Sequence, residues 1–162
     1  MHLRKDAMEK GGKAVKKKKA AVLVCVTGQR DCDRLIRVGK KLAEEQALPM
    51  QVLCVQPQSA GYGACSEELE YLYQTAREAG AEMTIIFQDD SALVAAGFIR
   101  QIGAVHVVTG MAGFASTGFI EVLHSIVPRI PISMVSKEEV VYNMYPVDYK
   151  SQNSQAISAV CT

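Results

Sequence analysis

Apolar and polar positions fall along this chain in blocks whose period switches. AAVLVCVT, from Ala20 to Thr27, is a short, continuous run rich in β-branched residues, as in a strand buried on both faces. GQRDCDRLIRVGKKLAEEQA then sets Leu35, Ile36, Val38, Leu42 and Ala43 at helical spacing, with Arg and Lys on the other face. Asp31 or Asp33 is placed to cap that helix, and Pro49 blocks its continuation. MQVLCVQP predicts a second strand. SEELEYLYQTAREAG predicts a second helix, capped by Ser66, with Glu67 and Glu68 against its dipole and Gly80 as its stop. AEMTIIF reads as a third strand. QDDSALVAAGFIRQIG reads as a third helix between an Asp89 or Asp90 cap and Gly103. AVHVVTG is a fourth strand. STGFIEVLHSIV is a fourth helix, entered at Ser116 or Thr117 and ended by Pro128. IPISMV, from Ile130 to Val135, is a fifth strand. Beyond it the pattern fades, although EEVVYNMY has the composition of an edge strand.

Strict alternation of short, doubly apolar strands with helices predicts an α/β fold: a parallel sheet covered by helices on both faces. Strand orders 3-2-1-4-5 and 2-1-3-4-5 both satisfy right-handed crossovers. The chain divides into a basic N-terminal arm (1–19), one α/β domain (20–135) and a C-terminal tail (136–162) that offers an edge strand or a dimer contact. At 162 residues, 49% of them apolar and 22% charged, one globular core is the expectation.

Charge changes the picture at one end. Residues 1–20 hold eight Lys or Arg against two acids, a surplus of six positive charges, whereas the remainder holds ten basic and fifteen acidic residues. The arm, which includes Lys16, Lys17, Lys18 and Lys19 and no aromatic residue, reads first as a solvated leader. Electrostatic contact with nucleic acid or anionic lipid is the competing reading. No apolar run approaches the roughly 20 residues of a membrane span, and no secretory leader is evident, so the expected location is the cytoplasm. The five cysteines form no C-x-x-C pair, and Cys25 and Cys54 lie in apolar runs as small hydrophobes. No metal centre is expected. His106, inside a strand, reads as a packed, hydrogen-bonded residue.

In open sheets of this class ligands bind beyond the carboxyl ends of the strands, where the strand order reverses. With order 3-2-1-4-5 the reversal lies between strands 1 and 4. The loops there are Thr27, Gly28, Gln29 and Arg30 on one side, and TGMAGFASTGF (109–119) on the other. Gly110 and Gly113 would let backbone approach a phosphate, Ser116 and Thr117 would offer hydroxyls and amides at a helix start, and Arg30 would supply charge. A plain βα turn wants the same residue types. No Ser-His-Asp order, H-E-x-x-H or P-loop pattern appears, and Asp89-Asp90 reads as a helix cap, so catalysis has no motif behind it.

VLVCVTGQRDCDRLIRVGKKLA (22–43) and GAEMTIIFQDDSALVAAGFIRQIGAVHVVTG (80–110) resemble the universal stress proteins. They are most similar to the stress-protein-like domain of Kdp-type potassium-sensor histidine kinases, and the resemblance covers residues 20–135. It implies a three-layer sandwich with a five-stranded parallel sheet of order 3-2-1-4-5, and homodimers joined through the last strand. In ATP-binding members an Asp ends strand 1, and Gly-x-x-Gly is followed, after nine residues, by Gly-Ser or Gly-Thr. Here Gly110-Met111-Ala112-Gly113 matches the first half, Leu123-His124 stands where the second would be, and Thr27 takes the place of the Asp. The resemblance therefore implies a cytoplasmic, non-catalytic stress or signalling regulator. Its candidate site is Thr27, Gly28, Gln29, Arg30, Gly110, Met111, Gly113, Ser116 and Thr117. Candidate ligands are ATP, AMP or cyclic di-AMP, with no metal beyond nucleotide-bound Mg. Two alternatives stay open: a nucleotide-free interaction and dimerisation module related to potassium-sensor signalling, and a weak nucleotide hydrolase. A homodimer and a protein partner are expected, and nucleic acid is not.

Overall fold

The computed structural model describes residues 20–61, 63, 66–111 and 118–146. Among these residues six strands form one sheet: β1 Ala21–Val26, β2 Met50–Gln56, β3 Glu82–Phe87, β4 Ala104–Gly110, β5 Ile132–Val135 and β6 Val141–Met144. Among the described residues four α-helices connect them: α1 Asp33–Gln46, α2 Ser66–Glu78, α3 Ser91–Ile102 and α4 Phe119–Ile126. The strand order is β3-β2-β1-β4-β5-β6, parallel except for β6, which runs antiparallel to β5. The five-strand sheet is thus corrected to six strands, the sixth lying in the EEVVYNMY stretch expected as an edge strand. Tyr142 sits opposite Met134 and Asn143 opposite Ser133, so the second edge of β5 is taken up within the same chain.

The apolar runs of β1 and β2 are buried because helices cover both sheet faces. Val22, Val24 and Val26 of β1 pack with Val52, Cys54 and the inner sides of α1 and α2. The alternate residues Leu23 and Cys25 pack with Leu53, Val107, Ala95, Phe98 and Ile99 of α3, and Leu123 of α4. Cys25 and Cys54 therefore belong to opposite faces, and burial pushes the Cys25 thiol up to about 12. The helix ends follow local chemistry in part. Asp90 caps α3 by accepting from the Leu93 N–H at 3.2 Å, while Asp89 accepts from the Gln58 N–H at 3.0 Å. Gly103 ends α3 in the left-handed region at φ 71.

Two expectations are corrected here. Neither Asp31 nor Asp33 caps α1: the residue at its N-cap is Cys32, which makes no side-chain cap bond. Asp33 instead accepts from the Tyr71 hydroxyl at 2.6 Å and pairs with Arg37 at 3.4 Å. The fourth helix begins at Phe119, behind Gly118 in the left-handed region at φ 74, so Ser116 and Thr117 precede its cap.

Candidate functional site

The strand order places the reversal between β1 and β4. Their parallel register pairs Cys25 with Thr109, so the loops that follow Val26 and Gly110 leave neighbouring strands at the same end of the sheet. This juxtaposition joins two loops more than eighty residues apart in sequence. Thr27, Gln29 and Arg30 are exposed and Gly28 is half-buried. The loop turns through a 3-10 turn, Arg30–Cys32, and is closed by the Cys32 N–H donating to the Gln29 carbonyl at 3.0 Å, with Thr27 Oγ1 3.5 Å from Cys32 Sγ. α1 continues from this turn without a side-chain cap, its first amide, that of Asp33, donating to the Arg30 and Asp31 carbonyls of the turn.

Across the crevice, Gly110 and Met111 end β4. The Met111 N–H donates to the Val135 carbonyl at 2.9 Å, so that amide is committed to β5. Gly113, Ser116 and Thr117 lie outside the described residues. Arg30 points elsewhere: its guanidinium lies over the ring of Tyr71 on α2, 4.2 Å from the centroid, a cation–π contact. The Tyr71 hydroxyl is in turn pushed up from its ordinary pKa, first by its hydrogen bond to Asp33.

A residue that sequence reasoning assigned to the solvated face of α1 stands at the crevice instead. Arg34 is buried. Its Nε donates to the Ser136 carbonyl at 3.0 Å, Nη1 to the Asp31 carbonyl at 2.9 Å, and Nη2 to the Val135 carbonyl at 3.4 Å. The Asp31 carboxylate lies 3.4 Å from Nη1. A Cβ added at Gly110 would stand 3.4 Å from Nη2, in ordinary contact, which places the guanidinium directly over the end of β4. The five fixed N–H groups of arginine suit converging carbonyls at the end of a sheet. The only sequence signal was an Arg in the first turn of a helix that follows a strand.

His106 occupies a separate polar cluster under α1. Ser133, fully buried, donates to Asn143 Oδ1 at 2.6 Å and so accepts from His106 Nε2 at 2.7 Å. His106 Nδ1 then accepts from Gln46 Nε2 at 3.4 Å. Burial lowers the pKa of His106. Since the unfolded histidine titrates near about 6.5, the unfolded chain takes up the proton first as pH falls. Stability is therefore present above that value and is lost as pH drops towards the depressed folded value. The expected result is a melting temperature that falls between neutral and mildly acidic pH, with a shallower fall in His106→Gln; equal slopes would contradict it.

No family model matches the chain, and no curated protein matches it. Solved structures do. A universal stress protein from Archaeoglobus fulgidus superposes with a TM-score of 0.54 at 16% identity, over 65% of this chain and 86% of that one. The universal stress protein from the same organism in complex with dAMP gives 0.51 at 16%, over 74% and 98%. A protein of the universal stress protein family from Burkholderia pseudomallei gives 0.53 at 18%, over 74% and 97%. The fold is that of the universal stress proteins. Within a universal stress protein fold the β1/β4 crevice is the switch-point position, where general α/β rules also place ligands. No helix among the described residues is long and apolar enough to cross a membrane, and these residues contain no cluster of three or more His, Cys, Asp or Glu able to hold a metal ion.

Proposed function

We propose that this chain is a non-catalytic, cytoplasmic regulator that takes an adenine nucleotide at the carboxyl ends of β1 and β4. The observation behind the proposal is the adjacency of the Thr27–Arg30 loop to the end of β4 at Gly110 and Met111, at the reversal of strand order. In this reading Thr27, Gly28 and Gln29 meet one side of the ligand. Gly110, Met111, Gly113, Ser116 and Thr117 meet the other, where amides and hydroxyls receive phosphate. The dAMP complex of the Archaeoglobus protein supports an adenine nucleotide as the ligand class; cyclic di-AMP and ATP with Mg belong to the same proposal.

One observation favours a second reading, a nucleotide-free interaction module that docks a stress or potassium-sensing partner. The Met111 amide and the Arg34 guanidinium, which a cradle would turn to phosphate, are already spent on β5 and Ser136 carbonyls. In either reading a homodimer joined edge to edge through β5 requires β6 to leave, so a strand-mediated contact falls to β6 or the tail.

A thermal-shift series with ATP, ADP, AMP and cyclic di-AMP, each with and without Mg, separates the two readings. A nucleotide at about a hundred times its Kd adds about 2.7 kcal/mol, roughly 5–10 °C for a domain of this size. Gly113→Trp is expected to abolish that shift. Constant melting temperature with every nucleotide at millimolar concentration would leave the interaction module as the function.

A further inference from the structure

Arg34 belongs to the crevice by position and to the β5–β6 turn by its bonds. It is the only buried cation among the described residues. Its Nη2 lies over the carboxyl end of β4, 3.4 Å from where a Cβ at Gly110 would stand. Asp31, in the loop after β1, meets Nη1 with its carbonyl at 2.9 Å and its half-exposed carboxylate at 3.4 Å. The other bonds run to the Val135 and Ser136 carbonyls, where β5 ends and the turn to β6 begins. The hairpin at the far end of those bonds is lightly held. β6 has four residues and, among the described residues, pairs with β5 alone. Val140, Val141 and Tyr142 are exposed, so little apolar burial secures it. Glu139 holds φ at 63 without being glycine, a strained conformation for an L side chain. Its ties are polar: Arg34 to Ser136, Arg37 to Glu139 at 3.5 Å, and Ser133 to Asn143 at 2.6 Å. Both arginines stand in the first two turns of α1, directly after the loop that lines the crevice.

We propose that Arg34 is shared between the two places, so that a nucleotide phosphate at the β1/β4 crevice and the docked β5–β6 hairpin compete for one guanidinium; this rests on the nucleotide reading above. A phosphate is a charged acceptor with paired oxygens, and it draws an arginine fork more strongly than neutral carbonyls do. It also repels the Asp31 carboxylate from Nη1. Nη1 and Nη2 turn to the phosphate, and the Val135 and Ser136 carbonyls give up the guanidinium. The turn keeps its internal bond, from the Ser136 N–H to the Val140 carbonyl at 2.9 Å, but loses its anchor on α1. Occupancy of the crevice is thereby reported at the sheet edge, where Val140, Val141 and Tyr142 are exposed. The coupling is reciprocal: whatever draws β6 away frees Arg34 for phosphate and tightens the nucleotide by the same factor.

The test is hydrogen exchange of the full chain with ATP, ADP, AMP and cyclic di-AMP, with equilibrium dialysis of the same samples to read binding. With a bound nucleotide, amides of residues 135–144 are expected to exchange at least about tenfold faster, while those of β1 hold or slow. Asn143→Ala cuts the tie to Ser133 without touching the crevice, and it is expected to bind the same nucleotide about threefold or more tighter. A purely structural anchor would leave that affinity unchanged. Arg34→Lys is expected to weaken the nucleotide at least about tenfold and to abolish the exchange response; if it does not fold, Asn143→Ala still decides. A nucleotide that binds while residues 135–144 exchange at the same rate or more slowly overturns the sharing and leaves the nucleotide reading in place. So does unchanged affinity in Asn143→Ala. Binding of none of the four overturns both.

Discussion

Arg34→Ala is expected to lower the unfolding free energy by about 3 kcal/mol, because it removes a buried guanidinium from three backbone carbonyls at once. Bonds to a charged donor are worth more than neutral ones, and the orphaned carbonyls of Val135 and Ser136 would bear a desolvation cost. The Asp31 carboxylate, half-exposed, adds little to this figure. Arg34→Lys is expected to recover less than half of the loss, since one ammonium cannot span three acceptors fixed by the fork of arginine. The measurement is urea unfolding: a midpoint shift with unchanged slope reports the loss directly. Hydrogen exchange should show β5 and β6 losing protection first, because Arg34 and the Arg37–Glu139 pair at 3.5 Å tie α1 to Ser136 and the turn into β6. An alanine variant within about 0.5 kcal/mol of the parent would mean that the cluster is incidental.

Gly39→Ala is expected to destabilise the fold by about 2 kcal/mol, against the direction of helix propensity. Alanine in mid-helix is intrinsically better than glycine by about 1 kcal/mol. Here, however, the added methyl would overlap Cγ2 of Val24 on β1 and stand 3.1 Å from Met50 Sδ. Met50 can move aside, but Val24 is β-branched, stiff at χ1 and fully buried. Overpacking of this kind costs about 1–3 kcal/mol before strain spreads to neighbours. The double variant Val24→Ala/Gly39→Ala should be less damaged than the sum of the two single changes, by about 1 kcal/mol or more, because the methyl group removed makes room for the one added. A stabilised Gly39→Ala, or strict additivity, would show that α1 can lift from the sheet at little cost.

Both predictions concern residues whose importance cannot be read locally. A buried arginine and a mid-helix glycine each look unremarkable in a window of eighteen residues. Two of the three carbonyls that hold Arg34 lie 101 and 102 positions further along the chain, at Val135 and Ser136. Val24 and Met50 meet Gly39 only because α1 crosses back over β1. The same reasoning applies to the candidate site. Its two glycine-bearing loops are legible as turns, since turns and caps demand Gly, Ser and Thr wherever they occur. Which of them share a crevice depends on strand order. Arg30, the charge expected in that crevice from its place in the loop after β1, lies over Tyr71 because an aromatic face on α2 is within its reach.

The sequence by itself determined the kind and order of the elements from β1 to β5, because strand and helix periods and their caps are set by residues a few positions apart. Asp90 and Gly103 bound α3 as a local reading expects. Cys25 and Cys54, inside strand runs, are buried thiols as such runs require. EEVVYNMY was legible as an edge strand, but the partner and direction of β6, the Arg34 anchor and the His106–Ser133–Asn143 cluster were decided only by the tertiary structure. β6 is four residues long with Val141 and Tyr142 both exposed, so it carries no amphipathic period, and it is a strand because the edge of β5 supplies its hydrogen-bond partners. A polar group is buried at acceptable cost only where partners converge, and convergence is a property of how strands are ordered and helices cross them.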